Sequence, residues 1–209
     1  ALAAALVLLV GSVLFSLLRP DTNTPESTAV VEAADQWVTQ AGLPTARSGL
    51  ALAAFENRIY AIGGETSTGV TGMVECFNLD GGQWQTLPEK PLPVADASAV
   101  VIGGEIFIPG GRLASGEMTP ALEVFDPSQN VWSQRSPLPT AVSGYALAAY
   151  EGRLYLFGGW DGQQVLNSVY EYNPSLDQWS VRSSMPTGRA FAGAAMASGR
   201  IYVLGGCAD

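Results

Sequence analysis

Two arginines stand in similar settings, Arg47 in Pro44-Thr45-Ala46-Arg47-Ser48-Gly49 and Arg189 in Pro186-Thr187-Gly188-Arg189-Ala190-Phe191. A guanidinium meets a carboxylate through paired, charge-assisted hydrogen bonds, so both are candidates for holding an acidic group of a ligand. Bonding the carbonyls of its own loop is the other role open to each. Arg112, Trp160 and Asp161 follow Gly-Gly pairs and are further candidates, although Asp161-Gly162 also fits a solvated turn. The rest of the reactive inventory is sparse. There is no histidine, which removes Ser-His-Asp and Cys-His catalysis and every histidine-ligated metal site. Lys90 is the sole lysine, and so the sole candidate for lysine-based covalent chemistry. Cys76 and Cys207 cannot build a zinc cage by themselves and read as small apolar residues rather than a disulfide. Glu65, Glu117 and Glu123 carry a group suited to acid–base work, but their spacing shows neither pairing nor burial. The sequence assigns no catalytic residue, no metal site and no cofactor.

Ten Lys and Arg against nineteen Asp and Glu give 209 residues a net charge of -9. Such a chain neutralises no phosphates in bulk, so nucleic acid is excluded as its partner. With 47% apolar and 14% charged residues it can bury a core. Residues 1–18 carry no charge and as a helix would span about 27 Å, near the thickness of a bilayer core, which predicts a transmembrane anchor. Residues 19–34, rich in Thr, Ser, Pro and acid, read as a tether, and residues 35–209 are expected outside the cytoplasm.

The candidates sit within a repeat. Gly-Gly pairs at 63–64, 110–111, 158–159 and 205–206 are spaced 47, 48 and 47, and so are tryptophans 37, 84, 132 and 179. Before each pair runs a short aliphatic-aromatic segment: 58–62, 105–109, 153–157 and 200–204. Each reads as a strand, joined to an earlier apolar strand by a two-residue turn whose second member is Asn or Gly. Third strands come next at 74–77, 122–126 and 169–173, and a fourth surrounds each Trp. Repeated four-stranded antiparallel meanders predict the blades of a β-propeller, about 45–86, 94–135 and 141–182, with half a blade from Gly188 to Gly206. The tryptophans are expected in the core between blades. Within each meander the second–third loops and the blade-to-blade links share one face, and variable loops on a rigid scaffold are where binding resides.

The Gly-Gly pair, the Phe-Asp-Pro and Tyr-Asn-Pro segments and the Trp resemble the kelch repeat over residues 35–209. Gly158-Gly159-Trp160-Asp161-Gly162, Val169 to Pro174 and Trp179 match it most fully. Departures are Pro109 before Gly110, Asn78-Leu79 in place of Asn/Asp-Pro, and Asp96, aligned here with Arg or Val of the other units. The resemblance implies an all-β kelch-type propeller, here about three and a half blades of a ring of six or seven. It also implies that Arg47 and Arg189 match arginines that contact acidic peptides or sugar acids. The expected function is membrane-anchored recognition of a protein or glycan ligand, without enzymatic activity. Two alternatives stay open: a sensory or scaffold domain coupled to a cytoplasmic region, and a metal-free sugar-modifying enzyme resembling sialic-acid epimerases. A copper radical oxidase resembling galactose oxidase would need histidines, which are absent.

Overall fold

Short, mostly apolar runs, many of them carrying β-branched or aromatic residues and stopped by glycine or a polar turn, make the strands of this computed structural model, which describes residues 38–208. Blade 1 consists of β1 (Ala51–Phe55), β2 (Arg58–Ile62), β5 (Val74–Asn78) and β6 (Gln83–Leu87), paired in that order. A small hairpin, β3 (Glu65–Thr66) and β4 (Gly69–Val70), lies in its second–third loop. Blade 2 is β7 (Val100–Ile102), β8 (Glu105–Pro109), β9 (Leu122–Asp126) and β10 (Val131–Arg135). Blade 3 is β11 (Ala146–Tyr150), β12 (Arg153–Phe157), β13 (Val169–Asn173) and β14 (Gln178–Arg182). A last hairpin joins β15 (Ala190–Ala197) to β16 (Arg200–Cys207). All pairings are antiparallel, as the meander reading predicts.

The proposed anchor (1–18), the tether (19–34) and Trp37 lie outside the described residues. Among the described residues no helix is long and apolar enough to cross a membrane.

The core lies between sheets rather than within one. One cluster joins blade 1 to blade 2 through Tyr60, Ile62, Val74, Ile106, Ile108 and Phe125. A second joins blade 2 to blade 3 through Phe107, Leu122, Val142, Leu156 and Tyr172. The same aromatic contact recurs at both joints: Tyr60 and Phe125 have ring centroids 6.3 Å apart, Phe107 and Tyr172 6.1 Å. Offset and edge-on pairs of this kind add to plain area burial.

Trp84, Trp132 and Trp179, the described members of the repeating set, are half-buried and stand on the outermost strands. Each stacks on the aromatic opposite it in the third strand, at 5.2 Å (Phe77–Trp84), 5.0 Å (Phe125–Trp132) and 4.9 Å (Tyr172–Trp179). Each indole N–H also donates to the link that enters its blade, at Ala41, Pro88 and Ser136 respectively, within 2.9–3.0 Å. They therefore tie each outer strand to the preceding connection, and Trp132 and Trp179 also pack against the clusters between blades 1 and 2 and between blades 2 and 3, as the core reading expects.

Pro109 shows how the repeat absorbs a departure. A proline cannot donate to the ladder. Strand β7 is accordingly cut to three residues, and Ser98, which would pair with Pro109, leaves the sheet. The Ser98 N–H is taken instead by the hydroxyl of buried Tyr145 at 3.2 Å, and that hydroxyl donates to the Pro109 carbonyl. Burial pushes the Tyr145 hydroxyl pKa well up, so it stays a proton donor at any physiological pH.

Candidate functional site

The Gly-Gly pairs are the joints between blades. In each, the second glycine's N–H donates to a carbonyl of the next link: Gly64 to Val94 (2.8 Å), Gly111 to Val142 (2.9 Å), Gly159 to Arg189 (2.8 Å). The first glycine has positive φ, and a Cβ on it would sit 2.3–2.6 Å from that same carbonyl oxygen. Glycine is therefore required sterically as well as conformationally.

Next to each joint the link and the loop touch again through one repeated backbone pairing: Ser48 with Glu65, Ala95 with Arg112, Ser143 with Trp160 and Ala190 with Cys207. Residues one step further along the links are chained from blade to blade. The Asp96 N–H donates to Gly49, the Gly144 N–H to Asp96 and the Phe191 N–H to Gly144, all within 2.6–2.7 Å. All four residues have φ of +55° to +59°. Asp96 is thus in register with Gly49, Gly144 and Phe191, and the alignment of Asp96 with Arg or Val is corrected by two positions. The residues in register with Arg47 are Val94, Val142 and Arg189.

On this frame four different side chains occupy one equivalent position around the inner rim: Glu65, Arg112, Trp160 and Cys207. Arg112 sits between two acids, donating through Nε to Asp96 (2.8 Å) and through Nη2 to Glu65 (2.6 Å). Those bonds hold its pKa above the ordinary arginine value. A cavity of about 520 Å³ opens beside it, lined by Asp96, Arg112, Met118, Trp160, Phe191 and Cys207 among others. Phe191 is 65% exposed there despite a left-handed backbone that a bulky residue adopts only under strain. Cys207 is exposed and Cys76 buried, both as free thiols, so only Cys76 behaves as the small apolar residue expected of both.

The sequence candidates divide on this geometry. Arg112 and Trp160 meet at the cavity. Asp161 lies beside it in a turn, its Oδ1 accepting the N–H groups of Gln163 and Gln164, both at 2.8 Å, and those bonds lower its pKa. Arg189 donates to the Gly205 carbonyl (2.7 Å) and lines a different cavity of about 370 Å³ with Met185, Thr187 and Ile201. Arg47 is withdrawn from the surface altogether. Its side chain is 0% exposed, pairs with Glu75 (4% exposed), and donates to the carbonyls of Thr45, Ala61 and Gly63. The loop-carbonyl role describes it, with a carboxylate added that its spacing does not reveal.

That carboxylate belongs to a set that the residue spacing leaves hidden. Glu75, Glu123 and Tyr170 are equivalent third-strand positions, all buried. In blade 1 Arg47 and Thr45 answer Glu75. In blade 2 the arginine position is Val94, and Lys90 reaches Glu123 from four residues earlier while donating to the Leu92 carbonyl (2.7 Å). Burial pulls the Lys90 ammonium pKa down, and its bond to Glu123 works against that. In blade 3 the arginine position is Val142 and the acid is replaced by Tyr170, whose hydroxyl bonds Thr140 at 2.9 Å. The signal was available: wherever the arginine disappears, the acid disappears too or the one lysine stands in.

Two further carboxylates are held below their usual pKa by their partners. The Glu171 carboxyl is held below its usual pKa mainly by the Arg182 guanidinium (2.7 Å), with Arg153 (2.7 Å) beside it. The Asp177 carboxyl is held low by the Tyr172 hydroxyl (2.5 Å) and the Ser136 N–H (2.8 Å). Groups whose pKa falls on folding bind fewer protons folded than unfolded, so their contribution is complete above the unfolded value and disappears as pH drops through the folded one. The urea midpoint should accordingly decline once pH passes below the ordinary glutamate value of 4.5. A midpoint still level at about pH 2.5 would remove these pairs from the stability of the chain.

A family model described as the KLHDC2/KLHL20/DRC7 Kelch-repeats domain matches residues 49–209. Kelch-like protein 35 of Mus musculus is 29% identical over 126 residues, covering 60% of this chain and 21% of that protein. Kelch-like protein terF of Aspergillus terreus is 37% identical over 98 residues, 44% of this chain and 21% of that protein. The chain thus spans about a fifth of the length of these relatives. The solved structure of YjhT superposes with a TM-score of 0.69 at 16% identity, over 79% of this chain and 60% of that one, a likeness of fold alone. With the family model covering every described blade, and the blades built as four-stranded meanders joined at Gly-Gly, this chain belongs to the kelch-repeat family and folds as part of a kelch β-propeller.

Proposed function

We propose that this chain is a recognition module that binds a protein partner, or a glycan, at the inner rim, with Arg112 and Trp160 as its contact residues. One observation carries the reading: a single backbone position, bonded in the same way in each unit, holds Glu65, Arg112, Trp160 and Cys207. The glycines and tryptophans of the frame keep their type from blade to blade, and the buried position of Glu75, Glu123 and Tyr170 changes only together with its partner. A position that changes chemistry completely beside an open cavity is free of duty to the fold and available for a ligand. Arg189, in its separate cavity, is a secondary contact. Kelch-like relatives make a protein partner the first choice.

Peptides selected from a random phage library on the parent chain provide the test. Trp160→Ala, with an unchanged urea curve, should weaken their binding about 30-fold, the scale of a buried aromatic anchor. Equal affinity would move recognition off the rim. Display at a membrane belongs to the same proposal and is supported by the uncharged run 1–18. The chain should then remain with membranes through a carbonate wash, and release into the supernatant would end the anchor reading.

A further inference from the structure

We infer that the group held at this rim is a cation, the guanidinium or ammonium of a basic residue in a peptide partner; this rests on the rim reading above. Arg112 suggests an acidic ligand only while its own bonds are ignored. Its Nε and Nη2 are engaged by Asp96 and Glu65 at 2.8 and 2.6 Å. An incoming carboxylate would have to displace one of these acids and would face the charge of both. The three groups together sum to one negative charge, and both acids are part-exposed, so solvent-side oxygen is open to a second cation. Among the described residues lining the cavity, Arg112 is the only cation, and the remaining wall presents Trp160, Phe191 and Met118. Ring faces attract a desolvating cation, and sulfur and aromatic surface accommodate the aliphatic stem of a long basic side chain. The net charge of -9 steers such a partner toward the chain.

Two immobilised pools of short peptides, random except for a fixed central arginine or a fixed central glutamate, test this on the full chain at about 0.15 M salt, where the screening length is about 8 Å. The arginine pool should be retained about tenfold better. Trp160→Ala should erase that difference. The double variant Glu65→Gln, Asp96→Asn, which frees Arg112 and keeps side-chain size, should invert it in favour of the glutamate pool. A parent chain that prefers glutamate overturns the inference, and so does an arginine preference that survives Trp160→Ala, which assigns it to the general acidity of the surface. Trp160-dependent binding with no charge preference leaves the rim as the binding surface and overturns the cation alone. Absence of any Trp160-dependent binding overturns both.

Discussion

Replacing Gly158 by alanine is expected to cost about 2–5 kcal/mol of folding stability, far more than the loss of one hydrogen atom suggests. The backbone at Gly158 has φ +61°, a conformation that costs an L-residue about 1–2 kcal/mol. The added Cβ would also stand 2.3 Å from the Arg189 carbonyl oxygen and 2.8 Å from that of Leu166. Both are backbone atoms, and neither can turn aside. The Arg189 carbonyl also accepts the Gly159 N–H, so any shift that relieves the clash opens the joint. Gly152 supplies the control. Its φ is +69°, yet a Cβ there has nothing within 4 Å. Gly152→Ala should lose only the conformational part, about 1–2 kcal/mol. Urea denaturation of the two variants reads the difference directly, and equal losses would show that the glycine pairs are not steric joints.

The second large effect is expected at the buried ion pair of blade 1. Arg47→Ala leaves Glu75 charged and enclosed with only the Thr45 hydroxyl (3.1 Å), a loss of about 3–5 kcal/mol. Blade 3 shows how the same site closes without charge, through Val142, Tyr170 and Thr140. Thr45 is in register with Thr140, so the double variant Arg47→Val, Glu75→Tyr should recover most of what the single variant loses. A non-additivity of at least about 2 kcal/mol is predicted, because the two side chains share one contact. If the double variant is as unstable as the sum of its parts, blade 3 is not a substitute for blade 1 and the equivalence of these positions fails.

Much of the scaffold was legible because strands and turns are written in short-range patterns. The second strands 58–62, 105–109 and 153–157 match β2, β8 and β12 to the residue, since a glycine pair marks the end of each and a tight turn its start. The small hairpin β3–β4 is not legible in sequence, because no apolar alternation marks strands on either side of Ser67-Thr68. The site was read less well than the fold. Arg47 falls on the ligand face in sequence because it lies in a blade-to-blade link, whereas its partner Glu75 lies 28 residues away and only the sheet brings the two together. The register of Asp96 is not legible in sequence because link residues carry no repeated apolar marker. Its true register appears only in the chain of backbone bonds from Gly49 to Phe191. Trp160 and Arg112 stand out in sequence by their place after Gly-Gly, but that two acids already hold Arg112 depends on contacts 16 and 47 residues apart.

Hydrogen–deuterium exchange on the parent chain, with and without a rim-selected peptide, bears most directly on the claim that the variable mouth of this propeller is its recognition surface. The account predicts slowed exchange in Arg112–Thr119 and Trp160–Leu166, with the turns at Glu56-Asn57, Gly103-Gly104 and Glu151-Gly152 unchanged. Protection confined to those turns, with the rim segments exchanging as before, would contradict it.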